Sequence, residues 1–84
     1  MEQENWDVVE AHKHTTCRKE IETSDVCGCF CCLATFAPAL VERWLGDGAA
    51  ICPYCQVDSV LGSASGFPIK QEFLKAMQQR WFGS

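Results

Sequence analysis

Seven cysteines stand in this 84-residue chain, and four of them fall within the six residues from Cys27 to Cys32. Sulfur at this density closes disulfides, exchanges electrons or binds a metal as thiolate. Spacing separates these uses. In "VCGCFCC" one pair alone, Cys29 and Cys32, has two residues between its members, and "CPYC" supplies a second such pair, Cys52 and Cys55. A C-x-x-C turn lets both sulfurs face one point. Nineteen residues, 33–51, separate the pairs, giving C-x2-C-x19-C-x2-C, a spacing that reads as a tetrahedral zinc site. Pro53 sets φ just after the first ligand of the second pair and so pre-forms that turn. Cys29, Cys32, Cys52 and Cys55 are therefore the candidate ligands of one Zn²⁺. Four protein thiolates leave no open coordination position, so the ion is expected to be structural rather than catalytic. Its binding contributes on the order of 10 kcal/mol to folding.

Three sulfurs remain. Cys17 and Cys31 read as small buried hydrophobes, and Cys27 competes for a ligand place because longer loops between ligands are tolerated. His12 and His14 could join Cys17 in a second site, but no fourth ligand of sensible spacing accompanies them, and both histidines read as exposed. Asp58 and Ser59 read as caps of a turn through side-chain to backbone hydrogen bonds. There is no Ser-His-Asp set, no pair of carboxylates at useful spacing and no glycine-rich phosphate loop, so the expectation is a protein that is not an enzyme. The rival chemistry is a thiol oxidoreductase using one C-x-x-C pair.

The elements that must position these residues are short. Residues 1–14 hold few apolar anchors beyond Trp6, Val8 and Val9 and read as a loosely attached arm or a short, weak helix; residues 15–84 form the single zinc-binding domain. Good helix formers around Arg18–Glu22 predict two helical turns. In "TFAPALVERWLGDG" Pro38 suits a first turn, and Leu40, Val41, Trp44 and Leu45 share a face. A short middle helix is expected there, ended at Gly46 or Gly48. "AAICPYCQVDSVLG" predicts a short hairpin with the CPYC turn inside it, and "SASG" a plain linker. Pro68 is expected to open the last helix, where Ile69, Phe73, Leu74, Met77 and Trp81 form one apolar stripe. The predicted fold class is thus a small α+β zinc-stabilised domain of zinc-ribbon or treble-clef type.

A chain this short buries too little surface to be secure on its core alone, and small domains commonly add a metal. The apolar fraction of 48% and three tryptophans argue for a folded chain. No apolar run approaches the roughly 18 residues that span a bilayer. The N-terminus "MEQENWDVVE" lacks the basic and apolar regions of a secretory signal, and the odd cysteine count does not suit a secreted disulfide framework. A cytoplasmic location is expected. The net charge is −4; a zinc tetrathiolate (four thiolates and one dication) takes it to about −6, which opposes long-range attraction to nucleic acid. "HKHTTCRK", residues 12–19, is the one basic exception and reads as a solvated segment.

The stretches "CGCFCCLATF", "VERWLGDGAAICPYCQVDSVLG" and "FPIKQEFLKAMQQRWF" together resemble a group of small bacterial proteins of unassigned activity. These are zinc-ribbon-type cytoplasmic domains with a C-x-x-C knuckle, a Trp-containing short helix, a "CPYC…DSV" segment and a terminal "FL…M…WF" helix. The likeness covers about residues 10–82 and implies the same four ligands, Cys29, Cys32, Cys52 and Cys55. It departs at Cys31, where a Tyr is expected, and at Gln56, where knuckles usually carry Gly. The family brings no reaction. The function expected is that of a small cytoplasmic module that binds an unidentified protein partner, adaptors and inhibitors of mobile-element origin being one subtype. Its contact surface would include Trp6, Trp44 or Trp81 if exposed, because aromatics carry interface energy. A nucleic-acid-binding zinc ribbon of the transcription or translation machinery is the alternative, with only the 12–19 run in its favour.

Overall fold

The computed structural model describes residues 6–83. Its scaffold is a small antiparallel sheet of three strands, β1 (Cys27–Cys29), β2 (Thr35–Phe36) and β3 (Val60–Gly62), in the order β2-β1-β3. Cys27 pairs with Phe36 on one side and Gly62 on the other, and Cys29 pairs with Val60. Strand residues alternate faces, and this register sorts the core into two clusters. Cys27, Cys29, Phe36 and Val60 join Ile21, Val41, Ala50 and Cys52 in one. Leu61 joins Ala11, Phe30, Phe73, Leu74 and Met77 in the other. The central strand can be this thin on its second face because Gly28 has no side chain: a Cβ there would lie 2.8 Å from Ile69 Cγ2 and 3.0 Å from Leu74 Cδ1.

Helices cover both faces. α2 (Arg18–Glu22) forms where its helix formers place it and buries Ile21 in the first cluster. α3 (Gln71–Phe82) lays Phe73, Leu74 and Met77 into the second. α3 starts later than Pro68 suggests, because Lys70 is still extended at φ −140°.

Three other expectations change, and near the N-terminus the short-helix alternative is the one that forms. Residues 8–14, read as a loose arm or weak helix, form α1 (Val8–His12) and a 3₁₀ turn (Lys13–Thr16). Asp7 caps α1 by accepting from the Glu10 amide, and Ala11 is fully buried; residues 1–5 of that segment lie outside the described part. The middle helix is absent. Only a 3₁₀ turn, Pro38–Leu40, forms, after which Val41 is extended at ψ 119° and Trp44 bridges antiparallel to Ala50. The backbone of 43–51 satisfies itself across this bridge (Ile51 amide to Arg43 carbonyl, Leu45 amide to Ala49 carbonyl), leaving Leu40 and Leu45 exposed. Gly48, with φ +96°, turns the bridge rather than ending a helix. The 49–62 hairpin does not form either: β3 pairs with β1. The "SASG" linker is also structural, since Ser63 Oγ accepts from the Asp25 and Val26 amides.

None of the three tryptophans is exposed. Trp6 packs edge-on against Phe73, Arg18 covers Trp44, and Trp81 lies between His12 and Arg80. Among the described residues no helix is long and apolar enough to cross a membrane.

Candidate metal centre

The first C-x-x-C pair leaves the end of β1 and turns back into β2; the second closes the loop beyond the Trp44–Ala50 bridge. The two turns are built alike. In the first, the Cys29 amide donates to the Ala34 carbonyl at 2.9 Å and the Leu33 amide to the Cys29 carbonyl at 2.8 Å. In the second, the Cys52 amide donates to the Val57 carbonyl at 2.9 Å and the Gln56 amide to the Cys52 carbonyl at 3.0 Å. Each also points an amide at its first sulfur: Cys31 N–H to Cys29 Sγ at 3.3 Å and Tyr54 N–H to Cys52 Sγ at 3.4 Å. The residue after each second cysteine, Leu33 and Gln56, takes a left-handed conformation with φ 67° and 66°. L-residues avoid that region because Cβ crowds the following carbonyl, so its occurrence twice at equivalent places marks a conformation the knuckle imposes.

These matched turns bring Cys29, Cys32, Cys52 and Cys55 together, with all four Sγ atoms within 4.8 Å of one another. Cys29 Sγ lies 3.6 Å from Cys55 Sγ, and Cys32 Sγ lies 3.7 Å from Cys52 Sγ. Disulfide sulfurs sit at about 2.05 Å, so these are free thiols. Zinc–sulfur bonds of about 2.3 Å in a tetrahedron put sulfurs about 3.8 Å apart. Such a centre fits the four residues, which could hold one metal ion. Cys29 and Cys52 are buried, Cys55 is partly buried and Cys32 is exposed, so the centre lies at the surface with its inner edge in the first core cluster.

Burial and hydrogen bonding act unequally on these thiols. At Cys29, burial raises the pKa, but the Ser59 hydroxyl, the Cys32 and Cys31 amides and the Cys55 thiol donate to the sulfur, and the net shift is downward. Burial pushes Cys32 and Cys55 up, against amides from Ala34 and Val57 respectively, and the neighbouring Cys29 thiolate adds to the rise in both. A thiolate is thus favoured at Cys29, while burial and that charge disfavour further thiolates at Cys32 and Cys55; a bound dication would reverse that balance.

Two supports of the centre escaped the sequence. Ser59, read as a turn cap, is buried and lies with its hydroxyl 3.3 Å from Cys29 Sγ; nothing in a serine four residues past a cysteine signals this. Gln71 and Gln78, two turns apart on α3, donate to the Leu33 and Cys31 carbonyls at 2.9 Å each, tying the first knuckle to the helix. Asp58 is exposed, and Cys17, Cys27 and Cys31 lie outside the tetrad. The histidines read as exposed are partly buried: His12 stacks on Trp81, and His14 stands against Phe67 and Glu20.

No family model, no curated protein and no solved structure matches this chain.

Proposed function

We propose that this is a zinc-ribbon-type module of the cytoplasm, held by one structural Zn²⁺ at Cys29, Cys32, Cys52 and Cys55, that acts by binding another protein. The convergence of four thiols at tetrahedral spacing on two matched knuckles carries the reading. Thiolate ligands favour zinc among borderline metals, and a closed set of four assigns it a structural role. Purified chain should retain one chelator-resistant zinc; cobalt put in its place should give a tetrahedral four-thiolate spectrum. Chain that retains no metal and keeps its fold sinks the zinc assignment.

The partner class follows from charge. The basic run that favoured nucleic acid is largely engaged within the protein: Lys13 pairs with Glu10, His14 with Glu20, and Arg18 with Glu22 while it covers Trp44. The overall charge of −4 opposes a polyanion. Among the described residues the large exposed apolar side chains are Val9, Leu40, Leu45, Tyr54 and Phe82, with Tyr54, inside the second knuckle, 62% exposed. Immobilised zinc-loaded chain should capture a defined protein saturably, and Tyr54→Ser with Leu45→Ser should weaken the capture. A mobility shift at low salt, without protein capture, would favour the nucleic-acid reading instead.

A further inference from the structure

Away from the four-cysteine centre, His14, Cys17 and Glu20 each bring a ligand atom within 4.8 Å of the other two. The chain folds to make this happen. His14 lies in the 3₁₀ turn Lys13–Thr16 and Glu20 in α2, and the break between them falls at Cys17, whose φ −105° and ψ 77° belong to neither helix. The bend turns both helices' side chains toward the cysteine. His14 is held from both sides, by the Phe67 ring at 5.9 Å and by Glu20, and its side chain and that of Glu20 are each 24% exposed.

We infer that His14, Cys17 and Glu20 form a second, weaker site for a divalent borderline metal such as Zn²⁺. Imidazole, thiolate and carboxylate are each zinc ligands, and three protein ligands leave a position for water. His14 Nδ1 lies 2.9 Å from Glu20 Oε1, so the metal replaces the proton these atoms share. The other ring nitrogen, Nε2, lies 3.8 Å from Glu10 Oε2. That is beyond hydrogen-bond distance, so Glu10, whose other oxygen pairs with Lys13 at 3.4 Å, contributes a nearby negative charge and not an orienting bond. A surface ion pair explains His14 and Glu20 but has no use for a thiol at the same point. Cys17 Sγ is otherwise engaged only weakly, approaching the Lys13 carbonyl at 3.9 Å. His12, stacked on Trp81, takes no part.

The site carries three protein ligands against four, so it fills after the knuckle centre, and the two can be titrated apart. Full-length chain already holding its chelator-resistant zinc is titrated with Co²⁺. One further equivalent should bind at micromolar free metal and produce a thiolate-to-cobalt charge-transfer band. Zn²⁺ should compete for the same place and protect Cys17 from alkylation, followed by peptide mapping of the unmodified sequence. Cys17→Ser should abolish the band, and His14→Gln or Glu20→Gln should weaken binding at least about tenfold. Glu10→Gln should weaken binding less than either ligand substitution, because Glu10 lends a nearby charge and no hydrogen bond. Cys27→Ser and Cys31→Ser should leave it unchanged. A one-zinc protein that takes no further equivalent, or one whose second equivalent neither protects Cys17 nor needs it, overturns the site. Either result leaves the four-cysteine centre standing, and loss of the first zinc is read independently by chelator resistance.

Discussion

Replacing Gln56 tests whether the knuckle dictates the backbone. Gln56 has φ 66°, a conformation that costs an L-residue about 1–2 kcal/mol and is a genuine outlier for a β-branched one. Glycine removes that cost but returns about 0.5–1 kcal/mol through the entropy of the unfolded chain. It also forfeits the Gln56 side-chain bonds, from Arg43 at 3.1 Å and to the Cys52 carbonyl at 3.4 Å. Those are exposed or long and are worth about 0.5 kcal/mol together, the low end for hydrogen bonds. Gln56→Gly should therefore fall between about 0.5 kcal/mol less stable and about 1 kcal/mol more stable than the parent by this arithmetic. Gln56→Val keeps the strain, adds β-branched crowding and loses the same bonds, so valine should fall about 1–2 kcal/mol below glycine. For a domain of this size that gap is roughly 4–16 °C in melting temperature. The assay is thermal unfolding of the metal-loaded variants, with chelator competition run alongside to confirm equal loading. Were residue 56 ordinary extended chain, valine would equal or exceed glycine; that ranking would refute the knuckle geometry. Leu33 supplies the internal contrast. Its backbone has the same twist, but its side chain packs on the second core cluster, and losing that contact outweighs the relieved strain. Leu33→Gly should destabilise by about 1–2 kcal/mol, toward the low end for a buried leucine because the side chain is only partly covered.

The remaining predictions concern the ligands, their support and the packing beneath them. Cys29→Ser and Cys52→Ser should lose the metal and unfold the chain, read by metal analysis and circular dichroism, whereas Cys27→Ser should keep it; the reverse order would shift the ligand register by two residues. Ser59→Ala removes the hydroxyl donor to Cys29 and should speed metal transfer to a competing chelator several-fold, with the melting temperature of the loaded protein falling by the equivalent of about 1 kcal/mol. Gly62→Ala drives a Cβ into the Ser24 hydroxyl and to 3.1 Å from the Ile21 Cα. Because Ser24 is itself pinned by bonds to the Glu20 carbonyl and from the Ala64 amide, the clash should cost about 1–3 kcal/mol in denaturant unfolding; a neutral result would mean that α2 does not rest on β3.

The features legible in the sequence are those fixed by short-range rules. C-x-x-C spacing named the four cysteines that converge, because two intervening residues leave the turn little freedom. The α3 stripe was legible over Phe73, Leu74 and Met77, which are fully buried, since a helical face repeats over several turns. The segment 35–48 departs from the expected helix because Leu40, Val41, Trp44 and Leu45 span less than two turns, too short for periodicity to outweigh context. Context won through the 43–51 pairing, and Arg18 claimed Trp44 from outside the segment. The hairpin of 49–62 failed for a related reason. Closing the four sulfurs brings the chain leaving the second knuckle alongside β1, and that long-range pairing takes β3. The roles of Ser59, Gln71 and Gln78 depend on the same tertiary approach, 30 to 47 residues away in sequence from the groups they meet, and no local pattern encodes it.

The opening of the cysteine cluster shows how far residue type falls short of role. Cys27 and Cys29 lie on the same strand, on the same face, both fully buried. At Cys27 burial acts unopposed, since its thiol reaches only the Ile21 carbonyl at 3.8 Å, an acceptor that favours the neutral form; the pKa is pushed up to about 11. Cys29 ends the strand, and there the following turn aims the Cys31 amide, and the chain entering β3 the Ser59 hydroxyl, at the sulfur, so the thiolate is favoured despite equal burial. Desolvation and hydrogen bonding thus decide in opposite directions two residues apart. The strand makes Cys27 a filler beneath α2, the knuckle makes Cys29 a candidate ligand, and Gly28 between them gives α3 its approach to the opposite face. One tripeptide therefore joins both core clusters to the metal centre, which is why loss of the metal should reach α3 as well as the knuckles.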